Sequence, residues 1–176
     1  MSSITVKQAT EADIPVLENI LLDTVNWLNE IGQPLWTEDQ IKWERLSKDL
    51  SASDFYIAYL NEIPAGCMAV VDNDPQFWAD IPKGESLFIH KLAVKRFAAG
   101  QGVSDALIFR AKEMCVDKEI LFLRLDCDSH RPKQCAVYER NGFVFTNEKI
   151  IFGKYHVAFY ECKMPEFKIE NHKKST

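Results

Sequence analysis

Residues Leu92–Leu107 read LAVKRFAAGQGVSDAL. The first part is an apolar run of strand character; the last part repeats apolar residues at helical spacing. Between them stands Ala98-Ala99-Gly100-Gln101-Gly102. A turn that leaves a strand and opens a helix exposes the first helical N–H groups, which have no intrahelical partners. The helix dipole adds partial positive charge at the same place, and the pair of effects suits a phosphate. Glycines let the backbone approach an anion and adopt positive φ. Lys95 and Arg96 bring two cations to the turn. Taken alone, the plainer reading is a tight connection with no ligand. The third glycine of a Gly-x-Gly-x-x-Gly dinucleotide fingerprint is missing, and no Gly-Lys-Ser/Thr follows, so neither nucleotide motif is present.

Working outward, Ile4 to Ala9 alternates like a strand. Asp13 then offers an N-cap, Pro15 fits a first turn, and Leu17, Ile20, Leu21, Thr24, Leu28 and Ile31 recur at helical spacing up to Gly32. Thr37 caps a second, shorter helix expected to reach about Leu50. Phe55–Leu60 and Ala65–Val71 read as a hairpin joined through residues 61–64. Asp72 to Gly84 is a long connection carrying Phe77 and Trp78, and long ordered connections are often functional. Ser86–Val94 is a strand, Gln101 to about Val116 an amphipathic helix, and Ile120–Asp126 a short strand. A helix from Arg131 to Arg140 ends at Asn141-Gly142, and strands at 143–146 and 154–164 follow. The order β-α-α-β-β-β-α-β-α-β-β is an α/β (α+β) arrangement, a mixed sheet with helices on its faces. One domain over residues 1–164 and a polar tail over 165–176 are expected.

Composition narrows the function. The chain has 176 residues, of which 47% are hydrophobic and 27% charged, as in an ordinary globular domain. Its net charge of −5 and lack of a basic tract argue against nucleic-acid binding. The five cysteines include no Cys-x-x-Cys pair, so neither a disulfide framework nor a metal site is expected. No apolar leader or membrane-length apolar run occurs. A cytoplasmic protein that makes no membrane contact is the expectation.

A second block, LRLDCDSHRPKQCAVYERNGF at Leu123–Phe143, joins a strand to a helix ending in Tyr138, Glu139, Arg140, Asn141, Gly142 and Phe143. The two blocks together resemble the GNAT-family N-acetyltransferases, which pair Leu-Ala-Val and a glycine-rich turn with a helix ending Tyr-x-x-x-Gly-Phe. The likeness runs from about Ile4 to Met164 and includes Ala9, Thr10 and Asp13. His90 before Leu-Ala-Val marks a subset of the family. The resemblance implies a mostly antiparallel central sheet of about seven strands with helices on both faces. It also implies acetyl-CoA as co-substrate. The pyrophosphate would lie on the turn, at the N–H groups of Gly100, Gly102, Val103 and Ser104, with Ala99 and Gln101 completing the loop. Main-chain groups of Leu92 and Val94, with Ala93 between them, would carry the pantetheine arm as an added strand. The Leu92 N–H would polarise the acetyl carbonyl. Where many relatives have an asparagine touching the cofactor arm, this chain has Arg131, which pairs with a phosphate or loses the contact.

Tyr138 is, by the same resemblance, the acid that protonates the leaving thiolate, since a phenol keeps its proton at neutral pH. A tyrosine packed under the sheet is the structural alternative. His90 lies two residues before Leu92, so strand alternation places both on one face, and an imidazole can accept the amine's proton. Glu85 and water are the competing bases. The resemblance also implies that the first two helices and their connection wall the acceptor site, which makes Trp27 and Trp36 the candidate walls, with Asn29, Leu35, Phe77 and Trp78 near them and Glu30 or Asp80 as anions. Core packing would explain the tryptophans equally well. The leading expectation is transfer of an acetyl group to a primary amine of a small molecule. A protein or peptide N-acetyltransferase and a non-catalytic acyl-CoA-binding regulator are the alternatives. The sequence leaves a homodimer open.

Overall fold

The computed structural model describes residues 2–165, so all but the first residue of the expected polar tail lies outside the described residues. Its elements, in chain order, are β1 (Ile4–Gln8), α1 (Ile14–Glu30), α2 (Glu38–Ile41), α3 (Trp43–Leu46), β2 (Phe55–Leu60), β3 (Ile63–Val71), β4 (Ser86–Val94), α4 (Val103–Asp117), β5 (Phe122–Asp128), α5 (Pro132–Arg140), β6 (Val144–Ile151) and β7 (Tyr155–Lys163). The seven strands form one sheet in the order β1-β2-β3-β4-β5-β7-β6. Every pairing is antiparallel except β4 with β5.

Local chemistry sets the element ends. Gly32 stops α1 by taking φ +69. Thr37 and Gln40 form a reciprocal capping box at the start of α2. The helix expected to run to Leu50 is instead two short turns, because Lys42 is extended (φ −67, ψ 142) between them. Asn61 and Glu62 both have positive φ, 49 and 67, as a two-residue hairpin connection requires. β3 therefore begins at Ile63, ahead of the expected Ala65.

Two cores lie on the two faces of the sheet. α1 buries Leu17, Ile20, Leu21 and Val25 against Phe55, Ile57, Cys67 and Ala69. On the other face, α4 buries Val103, Leu107, Ile108 and Ala111 against Tyr56, Met68, Leu87, Ile89, Leu123 and Leu125. Each fully buried aliphatic side chain contributes about 1.5–3 kcal/mol of transfer free energy.

β4 departs from regular geometry twice. It pairs with β5 only at Ser86↔Phe122, Leu87↔Leu123 and Phe88↔Arg124, after which the two strands separate. Against β3, Cys67 opposes Ala93 while Ala69 opposes His90, so Lys91 and Leu92 together face Met68. This is a β-bulge, and Lys91 takes φ +52 there. The extra residue shifts the alternation. Leu87 and Ile89 belong to the α4-side core, and after the bulge Leu92 and Val94 do too; Ala93 belongs to the α1 side. His90 and Leu92 therefore lie on opposite faces, contrary to simple strand alternation.

The connection from residue 72 to 85 folds back over the sheet. Trp78 packs on Phe88 and Phe159, with ring centroids 5.9 and 5.0 Å away. The Trp78 N–H donates to the Asp74 carbonyl (2.9 Å), and the Gly84 N–H to that of Asp72 (2.9 Å).

Candidate active site

The separation of β4 from β5 opens the sheet on one edge. The Lys95 N–H donates to the Ala65 carbonyl of β3 at 2.7 Å. By alternation, the main-chain groups of Leu92 and Val94 turn the other way, to an edge that no strand covers among the described residues. A cavity of about 700 Å³ runs along this edge, lined by Leu92, Ala93 and Val94 and continuing past Ala99, Gly100, Gly102, Val103 and Ser104.

Two glycines set the shape of the turn. Gly100 and Gly102 have φ +75 and +85. Added Cβ atoms would meet nothing within 4 Å at Gly100 and only Ile4 Cδ1 at 3.8 Å at Gly102, so conformation rather than space requires glycine there. Gly102 is the N-cap of α4, with no side chain capping it. The Ala106 N–H makes the first bond back to the Gly102 carbonyl (3.0 Å), which leaves the N–H groups of Val103, Ser104 and Asp105 for a ligand. Gln101 is turned inward: its N–H donates to the Ala98 carbonyl (3.3 Å) and its side chain to the Phe97 carbonyl (2.9 Å). Alone among the expected cofactor residues it does not line the cavity.

Cations not anticipated from the turn itself complete this end. Lys133 and Arg140 project from α5, seven residues apart and so on one helical stripe. Arg140 pairs with Asp105 at 2.9 Å, and the bonds from Asn141 and then Arg140 hold the Asp105 carboxyl below its ordinary range. The Arg96 guanidinium lies 4.4 Å from the Trp27 ring. Trp27 lines this first cavity only, which moves it from the expected acceptor wall to the side of the glycine turn. Arg131 also lines the cavity, but its guanidinium is occupied. It donates to the carbonyls of Gln33 (3.0 Å) and Pro34 (2.9 Å) and to Asp128 (3.3 Å). It ties the loop after α1 to the start of α5 instead of presenting a free charge to a phosphate.

A second cavity of about 730 Å³ meets the first. Leu92, Tyr138, Trp36 and Gln134 line both. Tyr138 is 4% exposed, its hydroxyl accepts from Gln134 Nε2 at 3.1 Å, and burial pushes its pKa up. A phenol in that state retains its proton throughout the neutral range. Trp36 stands at the junction with Lys91 Nζ 4.7 Å from its ring centroid. Burial, with Arg45 as the next cause, lowers the Lys91 pKa.

His90 reaches the second cavity on the face opposite Leu92. Its Nε2 lies 3.5 Å from Asp74 Oδ2. Burial lowers the imidazole pKa, Asp74 opposes that shift, and Lys91 adds to it. Asp126, from β5, lines the same cavity, and burial followed by Asp74 raises its pKa to about 7. The Trp78 indole N–H leans toward Asp126 without completing a hydrogen bond. Neither carboxylate was singled out from sequence. The signal for Asp126 was the strand Phe122–Asp128, where Arg124, Asp126 and Asp128 alternate with apolar residues in the middle of a sheet. Glu85, the competing base, is exposed at the start of β4 and lines neither cavity; Glu30 and Asp80 are likewise exposed and outside both. Of the expected aromatics, Phe77 and Trp36 wall the second cavity and Trp78 does not.

The model for the acetyltransferase (GNAT) family matches residues 21–143. The uncharacterized N-acetyltransferase YesJ of Bacillus subtilis (strain 168) is 28% identical over 145 residues, which cover 78% of this chain and 79% of that one. A GNAT-family acetyltransferase of Listeria monocytogenes 4b F2365 superposes with a TM-score of 0.73 at 20% identity, covering 92% of this chain and 95% of the other. The PaiA N-acetyltransferase of Thermoplasma acidophilum, solved in complex with coenzyme A, superposes with a TM-score of 0.67 at 16% identity, covering 92% and 99%.

Proposed function

Since this chain belongs to the acetyltransferase (GNAT) family and is thus an acyltransferase, we propose that it moves an acetyl group from acetyl-CoA to a primary amine of a small molecule. The observation that carries the proposal is the meeting of two cavities at Leu92 and Tyr138. One has the glycine turn, the open N–H groups and the cations that a CoA pyrophosphate and pantetheine arm need. The other has an aromatic wall and carboxylates suited to an amine with an apolar body.

In this reading acetyl-CoA lies along the free edge of β4 with its thioester at the junction. The Leu92 N–H, turned to that edge, donates to the acetyl oxygen as charge develops on it; such a donor is typically worth about 3–4 kcal/mol. The ammonium loses one proton to His90, and the free amine attacks the carbonyl carbon. The C–N bond forms and the C–S bond breaks. The second amine proton leaves to solvent while Tyr138 protonates the thiolate, recovering its own proton from solvent, and His90 then gives its proton to solvent, so one proton is released per acetyl group transferred. The five cysteines are all unpaired, which suits a reducing compartment such as the cytoplasm.

The test is thiol release from acetyl-CoA with an acceptor panel of polyamines, amino acids, arylalkylamines and aminoglycosides, set against N-terminal and lysine peptides. Turnover on at least one small amine is expected. Turnover confined to the peptides would overturn the small-molecule assignment.

A further inference from the structure

We propose that Asp74 is a positioning residue for deprotonation of the amine, orienting the His90 imidazole while Asp126 flanks the same ring as a second carboxylate. The inference rests on the reading of His90 as the base.

Asp74 sits on the long β3–β4 connection, a surface segment, yet it is only 5% exposed. Its Oδ1 accepts the Phe77 N–H at 3.0 Å. Its Oδ2 has no hydrogen-bond partner and is aimed at His90 Nε2, 3.5 Å away. A buried carboxylate oxygen left in that state is costly, and such an oxygen in a folded protein calls for an explanation. The loop is built to hold it there. The Phe77 and Trp78 N–H groups fix the Asp74 side chain and main chain, and the Trp78 ring anchors the loop on Phe88 and Phe159. From β5, Asp126 completes a cluster in which one polar atom each of Asp74, His90 and Asp126 lies within 4.8 Å of the others.

The geometry selects a tautomer. The nitrogen facing a carboxylate carries the proton, so Nε2 is N–H and Nδ1 keeps the lone pair. The 3.5 Å separation is of the kind that tightens when substrate is bound. When Nδ1 takes the amine's proton, the imidazolium forms beside Asp74, which stabilises it. The other charged groups around the ring are Lys91 on β4 and Asp126 on β5, with Arg45 acting in turn on Lys91. Arg124, on the same strand face as Asp126, is engaged with Glu161 and Ser86.

The test compares pH profiles of kcat and kcat/KM for the wild type, Asp74→Asn, Asp126→Asn and His90→Gln, using the best amine of the panel. Nitrogen NMR of the His90 ring is read alongside. In Asp74→Asn the plateau kcat should fall by about 10- to 100-fold. The acid limb should move to lower pH, because the imidazolium has lost its counter-charge, and KM for acetyl-CoA should stay unchanged. The wild-type ring should be protonated at Nε2 at pH 8, and the Nδ1–H tautomer should appear in the variant. Wild-type plateau, limb and tautomer in a folded Asp74→Asn protein overturn the inference. So does an Nδ1–H tautomer in the wild type, a measurement that needs no variant. Loss of turnover on dialysis against a chelator, restored by zinc, would overturn it in favour of a cation between the carboxylates. His90→Gln with wild-type kcat and pH profile would sink the base assignment itself; an impaired His90→Gln beside an unaltered Asp74→Asn sinks only the role of Asp74.

Discussion

Replacing Gly66 with alanine tests whether the shape of the proposed cofactor edge depends on close contact behind it. Gly66 lies in β3 opposite Val94. A Cβ there would sit 2.8 Å from the Ala93 carbonyl oxygen, 2.8 Å from Val103 Cγ1 and 3.4 Å from Leu107 Cδ1. Two of these contacts are closer than packed atoms tolerate, and one is to main chain, which cannot rotate away. Overpacking of this size typically costs about 1–3 kcal/mol. At about 2 kcal/mol, a chain of this length should lose about 4–8 °C in Tm. The strain falls on Ala93, between Leu92 and Val94, and on Val103 in the first turn of α4. KM for acetyl-CoA should therefore rise along with the loss of stability. Trimming Val103 to alanine in the same background should recover only part of the loss, since the carbonyl contact stays, with a coupling of about 1 kcal/mol. Denaturant unfolding and initial rates against acetyl-CoA measure both effects. A Gly66→Ala protein with wild-type Tm and wild-type KM would refute the reasoning. Gly100→Ala is the control: it meets no atom, and its cost of about 1–2 kcal/mol comes from left-handed backbone alone.

Other outcomes follow from the same geometry. Tyr138→Phe should lower kcat by about 10²–10⁴-fold and stability by only about 1 kcal/mol, because the hydroxyl has a single side-chain partner; unchanged kcat would return Tyr138 to a packing role. Arg131→Ala removes three bonds that tie residues 33, 34 and 128 together, so limited proteolysis should cut faster between residues 31 and 36, and equal cutting rates would contradict the clamp. Asp126 has a folded pKa of about 7 against an unfolded value of about 3.9. The native state therefore holds a proton that the unfolded chain has lost. Its contribution is complete below about pH 3.9 and is lost as pH rises through about 7. Asp126→Asn should flatten that part of the urea-unfolding profile and gain stability at pH 8; an identical slope would show that another group sets it.

The strand and helix order was legible because periodicity and punctuation agreed almost everywhere, as at Pro15 and Gly32 around α1 and at Asn141-Gly142 after α5. The split at Lys42 was not, since Thr37 to Leu50 carries enough apolar residues for one helix and only tertiary packing divides it. In the site, the left-handed backbone of the glycine turn was readable from the residues themselves, and the position of Tyr138 near the end of α5 from the local motif. Strand alternation failed at Lys91, where the bulge depends on how β3 registers against β4, a long-range property. Asp74 was hidden for a similar reason: nothing local says that a loop carboxylate will fold back beneath Trp78 onto His90. Arg131 carried a readable charge, but whether that charge faces a ligand or a pair of carbonyls depends on the path of the loop after α1.

The bulge at Lys91 also bears on how such a protein can change over time. One added residue divides β4 into an upstream half that ends in His90 among the carboxylates and a downstream half that runs from Leu92 to the glycine turn. In the proposed reading, substitutions around His90 would bear on the acceptor side and those from Val94 onward on the donor side, while Leu92, which lines both cavities, would be felt by both. A regular strand would interleave the two sets of side chains on shared faces, so that each exchange would be felt by both. The irregularity sets His90 and Leu92 on separate faces, and a directed-evolution library at Phe77, Phe152 and Tyr155, which line the second cavity and not the first, is where new acceptors should be sought first.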